Sequence, residues 1–333
     1  MTRTLITGIT GQDGSYLAEA LLSAGNEVHG LVRQSSLVQR SRLDSLPACA
    51  AARAEGRLKL HYADLTDSSS LQWLVRQVKP TAIYHLAGQS HVKVSFDLPE
   101  YTADTTGLGT LRLLEAVRQN VPEARFFLAA TSEIFGEPAD SPQSERTPVA
   151  PINPYAAAKL YALNLVRVYR RAYGLFACAG ILFNHESPRR GENYVTRKIA
   201  RTAARIAKGL EKELHLGTLT PRRDWGWAPD YVDGMRAILG AERADDYVLA
   251  TGETHSVGDF CELAFRTLGL DYRDHVVLDS EYARRVDITE TRGDAGKAAR
   301  ELGWSPRTKF PELVRQMVEA ERAALDDPTP ACD

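Results

Sequence analysis

Tyr155 and Lys159 stand four residues apart in the run Tyr155-Ala156-Ala157-Ala158-Lys159. On a helix that spacing puts a phenol and an ammonium on one face. A free phenol, with a pKa of about 10, is a poor base at neutral pH, and a neighbouring cation favours its ionised form. Such a pair is common on ordinary exposed helices, so its meaning depends on what surrounds it. Thr131-Ser132-Glu133 follow a strand-like run a little upstream. The Thr131 hydroxyl can hydrogen-bond an oxygen that Tyr155 deprotonates, and Glu133 offers a second acid–base group beside it. The bland reading of Glu133 is a carboxylate that caps a turn. Thr131, Glu133, Tyr155 and Lys159 are the catalytic candidates.

A partner for such a pair is suggested at the other end of the half-chain. Gly8-Ile9-Thr10-Gly11-Gln12-Asp13-Gly14 lies between an apolar strand and a helix. Glycines let the backbone turn sharply and let a pyrophosphate approach, while a helix N-terminus offers unpaired N–H groups. The glycine run alone could be a plain tight turn. In a strand–helix setting it predicts a dinucleotide site made of Gly8, Thr10, Gly11, Gln12, Asp13 and Gly14, with Tyr155 and Lys159 beside a nicotinamide ring. An oxidised ring would add to Lys159 in favouring phenolate. The second strand ends at Val32-Arg33 with no acid nearby. An acid there binds ribose hydroxyls, whereas Arg33 can pair with a 2′-phosphate, which points to NADP. The other reading of Arg33 is a solvated surface arginine. Asp64 and Leu65 after the third strand, and Leu86, Ala87 and Gly88 after the fourth, fall at the strand ends where such sheets bind ligands.

The elements that must position these groups are read from periodicity. Strands are expected at Thr4–Thr7, Glu27–Val32, Leu58–Ala63, Thr81–Leu86, Arg125–Ala130 and Ala177–Phe183. Helices are expected at Tyr16–Ala24 (stopped by Gly25), Ser68–Val78, Asp104–Arg118 and Pro154–Tyr173. The alternation predicts an α/β fold with a Rossmann-type doubly wound parallel sheet and right-handed crossovers. Residues 1–183 read as that domain. Residues 184–333, richer in Arg, Trp and Pro, read as a smaller substrate-binding α/β region partly interleaved with the sheet. Two segments read as loops: Arg33–Arg57, with a helical turn at Arg42–Leu46, and the Pro-rich Glu137–Asn153. The closing DDPTPACD reads as a frayed tail.

Composition narrows the partners. The 333 residues carry 41 basic and 43 acidic side chains, a balance that gives no reason to expect nucleic acid or an anionic membrane. Four scattered cysteines, Cys49, Cys178, Cys261 and Cys332, suit reduced thiols in a cytoplasm better than a disulfide framework or a metal site. No apolar run approaches bilayer length. In the second region Arg189, Arg190, Arg197, Lys198, Arg222 and Arg223 cluster where a substrate diphosphate would lie, since arginine forks suit phosphates. Arg201, Arg205 and Lys208, at helical spacing, read as a solvated basic face.

With these elements placed, the chain resembles the extended short-chain dehydrogenase/reductases and, among them, the GDP-mannose 4,6-dehydratases. GITGQDGSYLAE, LHYADLTDSSSL, QSHVKVSFDLPEYTAD, ATSEIFG, RRDWGWAPDYV and above all NHESPRRGENYVTRKI carry the resemblance. It implies tightly held NADP and a GDP-linked sugar as substrate. Thr131, Glu133, Tyr155 and Lys159 match the family's catalytic set. Asn184, Val195, Lys198, Arg223 and Arg284 match positions that hold the GDP part, Asp287 follows as a shortened acid, and Ser90 and Glu186 fall near the sugar. The implied reaction is an internal redox cycle. Tyr155 takes the proton from the carbon 4 hydroxyl as hydride leaves carbon 4. Glu133 removes the proton at carbon 5, water leaves from carbon 6, and the hydride returns there, giving GDP-4-keto-6-deoxymannose.

Four places depart from the family's pattern. PRSPY becomes Pro151-Ile152-Asn153-Pro154-Tyr155, DWGHAKDYV becomes Asp224-Trp225-Gly226-Trp227-Ala228-Pro229-Asp230, RPxEV becomes Arg284-Arg285-Val286-Asp287-Ile288, and an Arg-Arg pair becomes Arg33-Gln34. The first three leave room for another GDP-sugar such as a GDP-heptose. The fourth falls in a loop that packs subunits in the family, so a homodimer or a homotetramer is expected. A nucleotide-sugar epimerase or reductase would share Tyr155 and Lys159 but have little use for Glu133. A redox-sensing module without catalysis would commonly lack the Tyr–Lys pair.

Overall fold

The computed structural model describes residues 2–33, 41–282 and 286–326. Its centre is a seven-stranded sheet: β1 (Arg3–Thr7), β2 (Glu27–Val32), β3 (Leu58–Tyr62), β4 (Ala82–His85), β5 (Arg125–Thr131), β6 (Ala177–Leu182) and β7 (Asp246–Leu249). The spatial order is β3-β2-β1-β4-β5-β6-β7, and every neighbouring pair is parallel. This is the Rossmann-type doubly wound arrangement expected, with the order reversing between β1 and β4. Ligands bind at the carboxyl ends of strands beside such a reversal.

β5 and β6 are apolar throughout Phe126–Ala130 and Ala177–Leu182 because both faces are covered there. Leu5 of β1 and Phe126 and Leu128 of β5 enter one core with the Ser68–Val78, Gly109–Asn120 and Pro154–Tyr173 helices. Their neighbours Ile6, Phe127 and Ala129 enter the opposite core with the Gln12–Ser23, Pro47–Ala54 and Ala228–Gly240 helices. A third core, built on Phe260, Phe265 and Phe310, joins the Val195–Ala207, Val257–Thr267 and Phe310–Asp326 helices. β7, drawn from the second half of the chain, pairs with β6 along Asp246–Leu249.

Three readings of the sequence need correction. The first helix begins at Gln12, not Tyr16, so the glycine run extends into it. The segment 33–57, expected to be a loop, contains a helix at Pro47–Ala54 with Pro47 in its first turn and Cys49 and Ala52 buried. The helix expected at Asp104–Arg118 is preceded by Val92–Asp97 and Pro99–Thr102, and a π-helical turn at Ala103–Leu108 leads into Gly109–Asn120.

At the β2–β3 edge, His29 Nδ1 lies 2.8 Å from His61 Nε2, and His29 Nε2 lies 3.0 Å from Glu27 Oε1. Lys59 and Arg3 also reach Glu27. Burial holds both imidazoles below their ordinary value, against the pull of Glu27 on His29. A folded-state pKa below the unfolded one stabilises the fold above the unfolded value and withdraws that stability as pH falls. The melting temperature is therefore expected to drop between pH 6.5 and 5, and His61→Asn should flatten that drop. Parallel acid slopes for the two proteins would show that the pair carries none of it.

Candidate active site

A cleft of about 760 Å³ opens over the carboxyl ends of β1, β4, β5 and β6. Gly8, Gly11, Gln12, Asp13 and Gly14 form one wall. Gly8 turns at φ +75°, a conformation that side chains rarely adopt, and a Cβ on Gly14 would come within 2.2 Å of the Gly8 carbonyl oxygen. Gly14 therefore lets the helix sit directly on the end of β1. Gly11 caps that helix with no side-chain bond, so the first-turn N–H groups face the cleft for an anion to use. The backbone fits a dinucleotide pyrophosphate.

The sequence-derived catalytic residues converge. Thr131 ends β5, and Glu133 lies in the Ser132–Phe135 turn, where Thr131 Oγ1 accepts from the Glu133 N–H at 3.3 Å. Tyr155 and Lys159 share the Pro154–Tyr173 helix, and all four residues line the cleft. Burial pushes the Tyr155 phenol up, against a hydrogen bond with Thr131 that pulls it down. Lys159, about 5% exposed, donates to the Ala129 carbonyl at 2.7 Å, and burial pulls it down to about 8. Glu133 Oε2 accepts from Asn153 Nδ2 at 2.9 Å, while Asn153 Oδ1 caps the Pro154–Tyr173 helix by accepting from the Ala156 N–H at 2.8 Å.

Beneath the glycine run, Asp13 Oδ2 meets His185 Nε2 at 2.9 Å, and His185 Nδ1 lies 2.7 Å from the Phe183 carbonyl. A carbonyl and a carboxylate both accept, so both ring nitrogens must donate and the ring is an imidazolium. Burial opposes charge on each partner, yet the pairing prevails: Asp13 is held below and His185 above its ordinary value. Gln12 adds bonds to Asp13, to the His185 carbonyl and, as acceptor, to Ser187. The NHESPRRG segment is thereby fastened to the glycine turn.

The other predicted residues divide. Leu86, Gly88, Ser90, Asn184, Glu186, Val195, Lys198, Arg223 and Asp287 line the cleft. Thr10, Arg33, Asp64, Leu65 and Ala87 do not. The Thr10 carbonyl accepts from Arg42, and Arg33 donates to the Tyr101 hydroxyl at 2.6 Å. Asp64 holds Thr66, Leu65 is buried in the core, and the Ala87 N–H goes to Thr7 Oγ1. Arg284 lies outside the described residues. Glu186 accepts from Thr196 and pairs with Arg190 at 3.1 Å. Arg223, buried, donates to Asp287 Oδ1 at 2.6 Å and to the Ile288 carbonyl at 2.7 Å. Lys198 donates to the His215 carbonyl and lies 3.8 Å from the Tyr282 ring centre. Among the other basic residues, Arg190 lines the cleft, whereas Arg189 pairs with Glu19, Arg197 with Glu321 and Arg222 with Asp259 and Glu290. Arg201, Arg205 and Lys208 pair with Glu192, Glu211 and Asp326. The Trp227 and Pro229 departures fall outside the lining, at the start of the Ala228–Gly240 helix.

Sequence reasoning gave no role to Arg42, Tyr194, Tyr282 or Asn153. The first three line the cleft by tertiary folding alone, and Tyr194 closes across it with a 2.8 Å hydroxyl contact to Ser90. Asn153 had a readable signal: Asn followed by Pro is the start of a helix. Among the described residues no His, Cys, Asp and Glu cluster could hold a metal ion.

With this geometry in place, the family model described as GDP-mannose 4,6 dehydratase matches residues 5–317. The chain is 50% identical to a GDP-mannose 4,6 dehydratase of Drosophila melanogaster, over 95% of this chain and 85% of that protein. Among solved structures it is similar to RMD from Pseudomonas aeruginosa complexed with NADPH (25% identity, TM-score 0.80, 97% of this chain and 99% of that one). It is also similar to the Thermus thermophilus UDP-glucose 4-epimerase complex with NAD (28% identity, TM-score 0.82, 97% and 99%).

Proposed function

The chain belongs to the GDP-mannose 4,6-dehydratase family, and from that membership we infer that it is a hydro-lyase converting GDP-mannose to GDP-4-keto-6-deoxymannose. Its substrate is a nucleotide sugar and its cofactor a nicotinamide dinucleotide. The observation that carries the reading is the convergence of Thr131, Glu133, Tyr155 and Lys159 in one cleft beside the glycine turn. An epimerase or reductase needs the Tyr–Lys pair, whereas a buried carboxylate beside it suits the removal of a carbon-bound proton.

When bound, the nicotinamide supplies acceptance of a hydride from carbon 4 and its return to carbon 6. Gly8, Gly11 and Gly14 would hold its pyrophosphate, with Tyr155 and Lys159 at the ring end. The residues do the rest. Tyr155, with Thr131 on its oxygen, takes the proton of the carbon 4 hydroxyl, and Lys159 favours the phenolate. The ketone at carbon 4 acidifies the hydrogen on carbon 5. Glu133 takes that proton, the electron pair of the C–H bond enters the enolate, and expulsion of hydroxide from carbon 6 gives the unsaturated ketone. A proton from the protonated Glu133 completes the water that leaves, and the enolate left by reduction at carbon 6 takes a solvent-derived proton at carbon 5 by way of Glu133. Asn184, Val195, Lys198, Arg223 and Asp287 are assigned to the GDP part, and Ser90 and Glu186 to the sugar side. Residues 184–333 are the substrate-binding region.

NADP is the dinucleotide we favour, since the sequence from Arg33 to Arg40 after β2 carries no acid and Arg42 lines the cleft, where it holds the Thr10 carbonyl of the glycine turn. We place the enzyme in the cytoplasm. Cys49, Cys178 and Cys261 are free and buried, which suits a reducing compartment. A homo-oligomer fits the exposed apolar side chains Leu98, Tyr101, Leu108, Tyr161 and Val168, each at least 39% exposed, on elements that pack against one another. Incubated with GDP-mannose and no added reductant, the purified protein should yield a product lighter by one water. Unchanged mass with GDP-mannose but water loss from a GDP-heptose would move the substrate. No water loss from any nucleotide sugar would remove the dehydratase assignment.

A further inference from the structure

The residue before the catalytic tyrosine pair's helix ties the two halves of the chemistry together. Asn153 is buried and extended (φ −143°, ψ 157°), the conformation that a following proline imposes. Its Oδ1 accepts the Ala156 N–H at 2.8 Å, which fixes the orientation of the amide and turns Nδ2 outward. That Nδ2 donates to Glu133 Oε2 at 2.9 Å. Glu133 is held from the other side, since Thr131 Oγ1 accepts its N–H at 3.3 Å. A continuous chain of hydrogen bonds therefore runs from Thr131 through Glu133 and Asn153 to the first turn of the helix that carries Tyr155.

We propose that Asn153 is a positioning residue for proton removal at carbon 5, aiming the Glu133 carboxylate while it caps the helix that carries Tyr155. The proposal rests on the dehydratase reading above. Its physical content is that an asparagine is suited to both tasks at this reach. Serine or aspartate caps a helix comparably. A serine hydroxyl stands one atom shorter, however, and an aspartate turns an acceptor toward Glu133, where two carboxylates repel. A residue needed only for the cap would tolerate either change. Asn153 also occupies the first of the departures from the family's usual pattern, in Pro151-Ile152-Asn153-Pro154-Tyr155.

The test separates proton transfer from hydride transfer. Purified protein is incubated in D2O with GDP-4-keto-6-deoxymannose, whose carbon 5 hydrogen lies next to the ketone. Washout of that hydrogen reports the carbon 5 proton transfer without hydride transfer or water loss. Asn153→Ser should slow washout roughly 10- to 100-fold, the range of one hydrogen bond to a charged group, and Asn153→Asp should slow it at least as much. Both should melt within a few degrees of the unaltered protein, because the cap is kept. In full turnover of GDP-mannose, both should lower kcat with little change in KM. The isotope effect of deuterium at carbon 5 should rise and that at carbon 4 should fall. Equal washout in all three proteins, or isotope effects that do not move, would overturn the role of Asn153 alone. Absence of both washout and water loss in the unaltered protein would instead overturn the dehydratase reading beneath it.

Discussion

Glu133→Gln is expected to lower water loss from GDP-mannose by roughly 10²- to 10⁴-fold, the usual contribution of a positioned acid or base. The substitution is nearly isosteric, and the side chain is only about 8% exposed. A glutamine carbonyl can accept from Asn153 Nδ2 as the Glu133 carboxylate does, so the packing and the helix cap should survive. What is lost is the ability to take a proton from carbon 5. Tyr155, Thr131 and Lys159 remain, so removal of the carbon 4 hydroxyl proton and hydride departure are still open, but the ketone then has no base to enolise it. The expected signature is a protein that melts normally and binds GDP-mannose with an unchanged dissociation constant. In D2O its residual product forms at the reduced rate. Turnover within tenfold of the unaltered protein would place the carbon 5 base elsewhere in the cleft. Tyr155→Phe should be comparably inactive, but by blocking the earlier step, so deuterium at carbon 4 and at carbon 5 of the substrate would both stay in place.

How much of this was legible beforehand follows from where each constraint lies. The sheet could be read because its strands are covered on both faces, which leaves runs such as Phe126–Ala130 apolar at every position. The placing of Tyr155 and Lys159 in one cleft could be read because a four-residue spacing on one helix survives into three dimensions unchanged. The start of the first helix could not be read so well. Gly11 and Gly14 look like loop residues, and only the 2.2 Å approach of a Gly14 Cβ to the Gly8 carbonyl explains why glycine sits inside that helix. The Pro47–Ala54 helix was hidden in an arginine-rich stretch, although Pro47 marked its start and Cys49 and Ala52 its buried side. The cleft lining was least accessible of all. Arg42, Tyr194 and Tyr282 come from separate segments, and only the packed tertiary structure brings them to one cavity. The His185–Asp13 pair, 172 residues apart, is of the same kind. The motif NHESPRRG was recognisable, but nothing local said that its histidine would pair with Asp13 beneath the glycine turn.

Lys159→Met is expected to lose activity and gain stability at once. Lys159 is buried at about 5% exposure, and its ammonium donates to the Ala129 carbonyl while desolvation pulls its pKa from 10.5 down to about 8, with the Asp13 charge pulling weakly the other way. The folded state therefore holds the proton less firmly than the unfolded chain does. Stability from this group is complete above the unfolded pKa and is withdrawn as pH falls toward 8. Below that, folding bears the full cost of burying the charge, on the order of 3 kcal/mol from a shift of this size. Methionine fills a similar volume without a charge, so its variant should melt a few degrees higher at pH 7, with the advantage shrinking toward pH 10. The lost bond to Ala129 offsets part of the gain. Activity should move the other way. Burial already pushes the Tyr155 phenol up, and without a cation four residues along the helix it should ionise still less readily, lowering turnover by roughly 10²-fold or more. An equal or lower melting temperature across this pH range would mean that the buried ammonium is not strained. Unimpaired turnover would mean that Tyr155 draws its acidity from another group. With both expectations met, Lys159 is a charge the fold carries at a loss of stability because the neighbouring phenol needs it.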